Sequence, residues 1–422
     1  MPTTYTHSHL LRVFEYQTIR IGDVVENCVF SKQHFYALAR FYEKHGGKYY
    51  SLLHNGVKFS HYVGAIQIGQ LTIEILPKAD KKERPDASYW HDVLIDMLRE
   101  CRLLKVETLA SAKLQLRTNA ILELYFEIFL KEVERLLRRG LFRSYQMKEQ
   151  NEKYFKGKLI FHKHIQYNLA HKERFYIRSQ KFDHGHLLNR ILRRALDILE
   201  TLVFSPTLLF RIKRIKEHFP APCKTPFTER HFQKLMHDRK VQPYHTALEI
   251  ARLLVLNYSP DLRGGKHHLL AILFDMNLLF EEYVYKQLKR LESDELTVKR
   301  QQQKPFWQRR KIQPDILLTY QGENFVLDTK WKVLKTVSPS MEDLKQMYVY
   351  NQYFEARHSV LLYPKVYDLN DLKPTPYVQN GEEQNPFYCQ IQFLEILSNQ
   401  KLNKSLGLSI LEKLLLEELV GT

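Results

Sequence analysis

The sequence predicts a multidomain protein of mixed α+β and α/β class, with a β-rich N-terminal domain, a helical middle domain and a C-terminal α/β core. Three observations support this. The chain has 422 residues, more than one ordinary domain needs. Hydrophobic residues make up 44% of it, enough for several buried cores. The spacing of apolar residues changes twice, which places the domains at residues 1–85, 86–272 and 273–422.

The N-terminal region, residues 18–77, contains short apolar runs bounded by turn-forming residues, a pattern typical of strands. Within it, His54-Asn55-Gly56 predicts the turn of a β-hairpin, because Asn and Gly tolerate the positive φ angles of such turns. The next stretch, residues 78–89, is charged and contains a proline. We interpret it as a linker or exposed loop at the end of the first domain.

The middle region has a helical period. From about residue 90 to about 272, apolar residues recur at three- and four-residue intervals, and Gly140 stands where a helix would end. The stretch 154–165 is more strand-like or irregular. The pattern therefore predicts a mainly helical middle domain.

The C-terminal region predicts the order helix, three strands, helix, strand. The apolar spacing is helical at residues 274–291, extended at 295–300, 312–320 and 325–334, helical at 341–356 and extended at 358–364. A polar turn at residues 321–324 separates the second strand from the third.

The charge balance favours a polyanionic partner. The chain has 64 Lys and Arg residues against 47 Asp and Glu residues, a formal net charge of +17, which favours nucleic acid ahead of a membrane surface. No apolar run approaches the roughly 20 residues that span a bilayer, and the start of the chain lacks the apolar core of a signal peptide. We therefore expect a cytoplasmic protein without a membrane partner.

Two aspartates and a lysine form the candidate site. Asp315 and Asp328 lie on two predicted strands joined by a turn, so their carboxylates can meet although they are thirteen residues apart. Lys330 follows two residues later on the same face, while Thr329 is expected to point away. Carboxylates of this kind hold hard divalent cations, which activate water and relieve charge in phosphodiester hydrolysis. A surface ion pair is the alternative, but the apolar residues around both aspartates favour a buried site.

Three further residues are candidates for the same site. Gln346 and Tyr350 lie four apart on the next predicted helix, so both can face the sheet, although Tyr350 would also suit core packing. Glu281, on the preceding helix, would supply a third carboxylate. Alternatively, Glu281 and its neighbour Glu282 belong to the solvated face of that helix.

A basic and aromatic stretch precedes Asp315. Such a run is usually a solvated loop, but its position beside the site and the net charge of the chain favour contact with DNA phosphates. The candidate DNA-binding residues are Lys299, Arg300, Lys304, Arg309, Arg310 and Lys311.

These motifs resemble those of the PD-(D/E)xK nuclease superfamily. Pro314-Asp315, Asp328-Thr329-Lys330 and Gln346-x-x-x-Tyr350 are similar to the RecB-like branch with its QxxxY helix, which implies a restriction-endonuclease-like core. The resemblance implies a Mg²⁺ ion held by Asp315 and Asp328, and a catalytic set of these two with Lys330, Gln346 and Glu281.

The chain also resembles the McrC family over a longer stretch. The matching segments are VGAIQIGQLTIEILPKAD (63–80), MNLLFEEYV (276–284) and DLKQMYVYNQYF (343–354). The resemblance implies an endonuclease subunit of a restriction system that cleaves double-stranded DNA containing methylated cytosine. Its partner would be an McrB-like GTPase ring motor that binds the GTP, and the chain itself has no GxxxxGK[ST] phosphate loop. A non-catalytic DNA-binding adaptor of the motor and a stand-alone Mg²⁺-dependent nuclease are the alternatives.

Overall fold

Helices and strands alternate along the chain, and the computed structural model describes residues 9–25, 28–79, 86–103, 120–222, 226–260, 268–378, 386–398 and 401–420. The mixed α/β architecture confirms the general class predicted from the sequence. Half of the predicted linker, residues 80–85, lies outside the described residues.

The described helices differ in length but lack a long apolar member. None of them has both the length and the apolarity needed to cross a membrane. The α-helices are Lys32–His45, Ala87–Glu100, Ile121–Arg138, Phe161–Asn168, Leu187–Leu202, Pro206–Lys216, Glu229–Met236, His245–Leu256, Met276–Lys289, Met341–Phe354 and Leu406–Val420, with a 3₁₀ helix at Arg239–Tyr244.

The strands form small and medium sheets. In spatial order, the strands of the five-stranded sheet are His9–Phe14, Leu71–Leu76, Tyr62–Ile68, Leu269–Asp275 and Tyr258–Ser259. Those of the six-stranded sheet are Leu296–Arg300, Ile316–Tyr320, Glu323–Thr329, Ala356–Pro364, Tyr388–Leu394 and Leu372–Pro376. Two three-stranded sheets contain Thr18–Arg20, Gly56–Phe59 and Tyr50–Leu53, and Lys158–Leu159, Phe175–Asp183 and Ser144–Glu152. Paired strands are Val24–Val25 with Cys28–Val29, Lys304–Trp307 with Arg310–Ile312, and Leu397–Ser398 with Lys401–Leu402.

The chain divides into two compact units. The first unit contains the described residues of Met1–Leu10, Ile66–Thr72 and Thr108–Ile272. The second unit contains the described residues of Leu11–Ala65, Ile73–Glu107 and Leu273–Thr422. Each unit joins segments that are far apart in the sequence. The three consecutive domains predicted from the sequence divide the residues differently, and that division stays a prediction.

The first unit has a helical core. Helix His245–Leu256 packs against both Leu187–Leu202 and Ile121–Arg138, whose apolar residues recur on one buried face. The unit also contains the long antiparallel strands Ser144–Glu152 and Phe175–Asp183, paired in register from Ser144 with Asp183 to Glu152 with Phe175.

The second unit contains the six-stranded sheet and shows the element order predicted for the C-terminal region. The first three strands are antiparallel, and Ala356–Pro364 joins them in parallel. Helices Met276–Lys289 and Met341–Phe354 both contact this sheet. Two side chains fix where these helices begin, because Asp275 accepts from the Asn277 amide and Ser340 from the Asp343 amide.

Three elements depart from the sequence predictions. Helix Lys32–His45 lies within the region interpreted as strands, although Ser31 and Gly46 are typical capping residues. The long strands of the first unit were not predicted, because Ser144–Glu152 is mostly polar and has no fully buried residue. The hairpin of Lys304–Trp307 and Arg310–Ile312 is an addition between two predicted strands. The hairpin turn predicted at residues 54–56 is confirmed.

Candidate active site

Two aspartates meet at one end of the antiparallel strands Ile316–Tyr320 and Glu323–Thr329. Asp315 comes directly before the first strand, and the register, continued by one residue, places it opposite Asp328. The strands are joined by a two-residue turn in which both residues have positive φ, the geometry of a tight hairpin. The turn therefore brings together two carboxylates that are thirteen residues apart in the sequence.

Asp315 is fixed by the end of the neighbouring strand. Its Oδ2 accepts two hydrogen bonds from Thr329, one from the backbone N–H at 2.8 Å and one from the hydroxyl, also at 2.8 Å. The expectation that Thr329 points away from the site is therefore wrong. Because Thr329 occupies Oδ2 twice, Asp315 is held in one orientation beside Asp328.

Asp328 is a buried carboxylate whose ionised form is disfavoured by its surroundings. Its exposed fraction is 2%. Burial raises the pKa of Asp328 to about 7, the charge of Asp315 adds to this, and Lys330 opposes it. Among the described residues, no hydrogen bond of regular geometry reaches its Oδ2. A bound cation near the two carboxylates, in addition to the Lys330 ammonium group, would therefore stabilise their ionised forms.

Lys330 lies between the carboxylates and the helix Met341–Phe354. Its Nζ lies 2.7 Å from Asp328 Oδ2 and 3.3 Å from Asp343 Oδ1, and it donates to Gln346 Oε1 at 3.2 Å. Burial opposes the charged form, but the two aspartates outweigh it and raise the pKa of Lys330. The ammonium group therefore stays charged at neutral pH.

The helix contributes a chain of hydrogen bonds. Gln346 Nε2 donates to the Tyr350 hydroxyl at 2.8 Å, and that hydroxyl donates to the Gln313 carbonyl at 2.9 Å. Gln313 lies two residues before Asp315. Gln346 and Tyr350 thus face the sheet together, as their four-residue spacing predicted, and they link Lys330 to the segment that leads into Asp315.

Glu281 lies on helix Met276–Lys289 and is buried, with an exposed fraction of 5%. Burial and the nearby charge of Asp315 raise its pKa, against the effect of Arg300. Its Oε1 accepts from Arg300 Nε at 3.0 Å and from Gln301 Nε2 at 2.9 Å. Glu281 is therefore near the aspartates, but an arginine and a glutamine hold its carboxylate.

Asp343 is a member of this cluster that sequence reasoning missed. It is buried, and its two oxygens lie 3.3 Å from Lys330 Nζ and 3.6 Å from Lys332 Nζ. Burial would raise the pKa of Asp343, but Ser340 and the two lysines lower it below its usual range. Its position three residues before Gln346 on one helix face was the available signal.

The carboxylates suit a hard cation in part. Asp315 and Asp328 are adjacent oxygen donors, and Mg²⁺ in proteins usually takes one or two carboxylates and keeps several waters. Within the described ranges, however, no group of three or more His, Cys, Asp or Glu side chains is arranged to hold a metal ion. The pair therefore fits a cation that takes its remaining ligands from water and substrate.

The six basic residues predicted to bind DNA fall into two groups. Arg300 pairs with Glu281 and Glu282, and Lys304 donates to the Tyr353 carbonyl at 2.7 Å, so both are engaged within the protein. The other four are exposed: Lys299 in the strand Leu296–Arg300, and Arg309, Arg310 and Lys311 in the added hairpin. Only this second group presents its charges to solvent.

Comparisons with known proteins identify a family that matches most of the chain. The family model described as McrBC 5-methylcytosine restriction system component matches residues 57–364. The search of curated proteins finds no match.

Two solved structures have a similar fold. One is the refined half-complex from a tetradecameric assembly of Thermococcus gammatolerans McrB AAA+ hexamers with bound McrC. It is 20% identical, with a TM-score of 0.66, and the match covers 95% of this chain and 100% of that chain. The other is the cryo-EM structure of the Thermococcus gammatolerans McrBC complex, 20% identical, with a TM-score of 0.50 and coverage of 67% and 88%.

The family match is broad. It extends over more than two thirds of the 422 residues and includes the strands that carry both aspartates and Lys330. The chain belongs to the family of McrBC 5-methylcytosine restriction system components.

Proposed function

We propose that this chain is the DNA-cleaving subunit of a GTP-dependent restriction system, with a PD-(D/E)xK nuclease site built on Asp315, Asp328 and Lys330. The observation that carries the proposal is the adjacent pair of aspartates, Asp328 buried and Asp315 partly buried, with an ammonium group 2.7 Å from Asp328. Leaving two carboxylates in such surroundings is costly unless a cation and a negatively charged substrate use them.

Asp315 and Asp328 would hold the metal ion. Bound Mg²⁺ would lower the pKa of a water molecule and relieve charge on the phosphate. Thr329 keeps Asp315 oriented through its two hydrogen bonds, so one ligand is in place beforehand. Burial excludes water from Asp328 and strengthens its interaction with any cation nearby.

Lys330 has a different role. Its charge is maintained by Asp328 and Asp343, and Gln346 fixes the position of its Nζ. A cation held in this way can orient the attacking water and stabilise the negative charge that develops on the phosphate oxygens. Glu281 and Gln346 act as supporting residues in this arrangement.

The proposed substrate and partner follow from family membership. The similar solved complex contains McrB AAA+ hexamers with bound McrC. We extend this assembly to the present chain: an McrB-like GTPase ring motor binds GTP, this chain stimulates it, and this chain cuts double-stranded DNA with methylated cytosine. The net charge of +17 agrees with DNA as the substrate.

The rival function is a non-catalytic DNA-binding adaptor of the motor. One observation favours it: Glu281, the third acidic candidate, is held by Arg300 and Gln301 instead of adding to a three-carboxylate metal group. A stand-alone nuclease is a further alternative, and it would cut DNA without GTP or a partner.

The decisive experiment compares the wild-type chain with Asp328→Ala in the presence of the motor, GTP, Mg²⁺ and methylated DNA. We expect the variant to lose about 10² to 10³ in cleavage rate, as for removal of a central transition-state group, while stimulation of the partner's GTP hydrolysis is unchanged. The matched control is Asp294→Ala, which removes an exposed aspartate outside the candidate site.

Calorimetry with Mn²⁺ separates the two functions without catalysis. Binding by the wild-type complex that disappears in Asp315→Ala supports the nuclease. Wild-type cutting by Asp328→Ala would show that the site assignment is wrong, whereas absence of Mn²⁺ binding to the intact complex would favour the adaptor. Cutting without GTP and the motor would favour the stand-alone enzyme.

A further inference from the structure

A cavity lies at the end of the strand that carries Asp328. Its walls come from Arg12, from residues 14–17, from Lys78 and Pro364, and from the segment 331–333 that directly follows Lys330. The volume is about 800 Å³, within the range of pockets that hold small organic ligands. The cavity therefore adjoins the candidate active site in sequence, because the wall segment 331–333 continues directly from Lys330.

A buried carboxyl group organises the cavity. Glu15 Oε1 accepts from the Trp331 indole at 2.7 Å and from the Lys78 backbone N–H at 2.8 Å, so three distant segments are fixed together. Glu15 is 6% exposed, and among the described residues its Oε2 accepts no hydrogen bond. Burial raises the pKa of Glu15 to about 7. Its negative charge is therefore reduced at neutral pH, and basic residues dominate the charge of the walls.

An exposed aromatic residue lines the cavity. Tyr16 is 55% exposed and has a φ of 62°, a left-handed conformation that non-glycine residues seldom adopt. Asn or Gly would be less strained at this position. Exposed tyrosine rings are common stacking surfaces for nucleic-acid bases.

Two lysines supply positive charge to the walls. Lys332 has an exposed fraction of 58% in its side chain, and its Nζ lies 3.6 Å from Asp343. Lys78 lines the cavity beside Glu15. Two lysines and an aromatic residue that line one cavity match the two parts of a nucleotide, a phosphate and a base.

We propose that this cavity receives one nucleotide of the DNA strand next to the cleaved phosphate, with the base on Tyr16 and the phosphate beside Lys332. The inference rests on the proposed nuclease function, because continuity with Lys330 is what selects substrate DNA over a free nucleotide. Glu15 is a positioning residue: it holds the Trp331 wall and does not touch the reacting atoms.

The test uses DNA binding in place of cleavage. All variants are made in an Asp328→Asn background, and the affinity of each full-length chain for a fluorescent DNA duplex is measured by anisotropy. Tyr16→Asn removes the ring and suits the backbone, and we expect roughly ten-fold weaker binding. Tyr16→Phe should retain the parental affinity. The matched control is Tyr36→Ala, because Tyr36 is 58% exposed in the same unit but does not line the cavity.

A second measurement locates the nucleotide. After the cut position is mapped with the chain that retains Asp328, single abasic sites are placed on either side of it in the duplex. One abasic position should weaken binding of the parent about as much as Tyr16→Asn does, and should have no further effect on that variant. Deoxynucleoside monophosphates should not compete with DNA at millimolar concentration.

The outcomes are distinct. Unchanged affinity in Tyr16→Asn overturns the proposal, even if the chain cleaves DNA. Competition by a free monophosphate, with DNA affinity independent of Tyr16, shows a free-nucleotide site and also overturns it. If the chain with Asp328 never cleaves DNA, the nuclease function fails separately, because the binding comparison does not require cleavage.

Discussion

The acidic pair and the added hairpin are both charged, but they differ in how their charges are held. Asp315 and Asp328 are fixed by strand register, and the charge of Asp315 helps to raise the pKa of Asp328. The hairpin Lys304–Trp307 and Arg310–Ile312 is held at its base by Lys304, while its tip is exposed. Buried charges interact strongly and at fixed distances, whereas exposed charges are screened by water and salt.

This difference separates two contributions to nuclease function. The fixed cluster suits chemistry, since a catalytic group must be placed within a fraction of an ångström. The exposed tip suits affinity, since contacts with phosphates add up and tolerate movement. Substitutions in the cluster should therefore change the rate of cleavage, and those in the hairpin should change DNA binding and its salt dependence.

The largest effect should come from Lys330. Replacing it by Gln removes the positive charge that the two aspartates maintain, and we expect the cleavage rate to fall by about 10² to 10³. DNA affinity should change less than three-fold. The control Lys365→Gln removes a lysine that pairs with Glu395 outside the cluster, and its cleavage rate should equal that of the wild type. A similar loss in both variants would contradict the special role of Lys330.

A smaller effect should appear in stability. The folded pKa of Asp328, about 7, lies above its ordinary value of 3.8. Between these pH values the folded chain binds more protons than the unfolded chain, so the free energy of unfolding falls as pH rises through this window. Asp328→Asn removes the penalty. We expect it to raise the free energy of unfolding by on the order of 2 kcal/mol at pH 8, and not at pH 4.

Denaturant unfolding in EDTA measures this gain at both pH values. A gain that is equal at pH 4 and pH 8 would show that packing, and not titration of Asp328, is responsible. Adding Mn²⁺ at pH 8 should stabilise the wild type but not Asp328→Asn, because the ion binds only the folded carboxylate pair.

Sequence reasoning predicted that the central residues of the candidate site lie together because their arrangement is local. A two-residue turn and the alternation of strand side chains are enough to place Asp315, Asp328 and Lys330 together. The four-residue spacing of Gln346 and Tyr350 likewise indicates one helix face. These relations depend on a few consecutive residues, so one sequence is sufficient to infer them.

The rest of the site depends on packing between elements. Nothing in the sequence near Glu281 indicates that Arg300 holds its carboxylate, since that pairing needs a helix to lie against a strand. Asp343 had the local signal of lying three residues before Gln346, but its pairing with Lys330 and Lys332 depends on that helix lying against the sheet. The long polar strand Ser144–Glu152 shows the corresponding limit for the fold, because a strand that buries few apolar residues has no strong hydrophobic period.

The smallest effect should come from the hairpin tip. Arg309 and Arg310 are exposed, and the Arg310 guanidinium lies 5.9 Å from the centre of the Trp307 ring. Replacing both arginines by Ala should weaken DNA binding about ten-fold at low salt. It should also reduce the slope of log affinity against log salt by about 0.9 for each phosphate contact that is lost. Cleavage at saturating DNA should be unchanged, because neither arginine contacts the acidic pair.

The control Arg300→Ala should do the reverse: it frees Glu281 and disturbs the cluster, so the rate at saturation should fall while the salt slope stays constant. If the double variant lowered the saturated rate and left the slope alone, the tip would belong to the chemistry, and the separation of the two regions would be wrong.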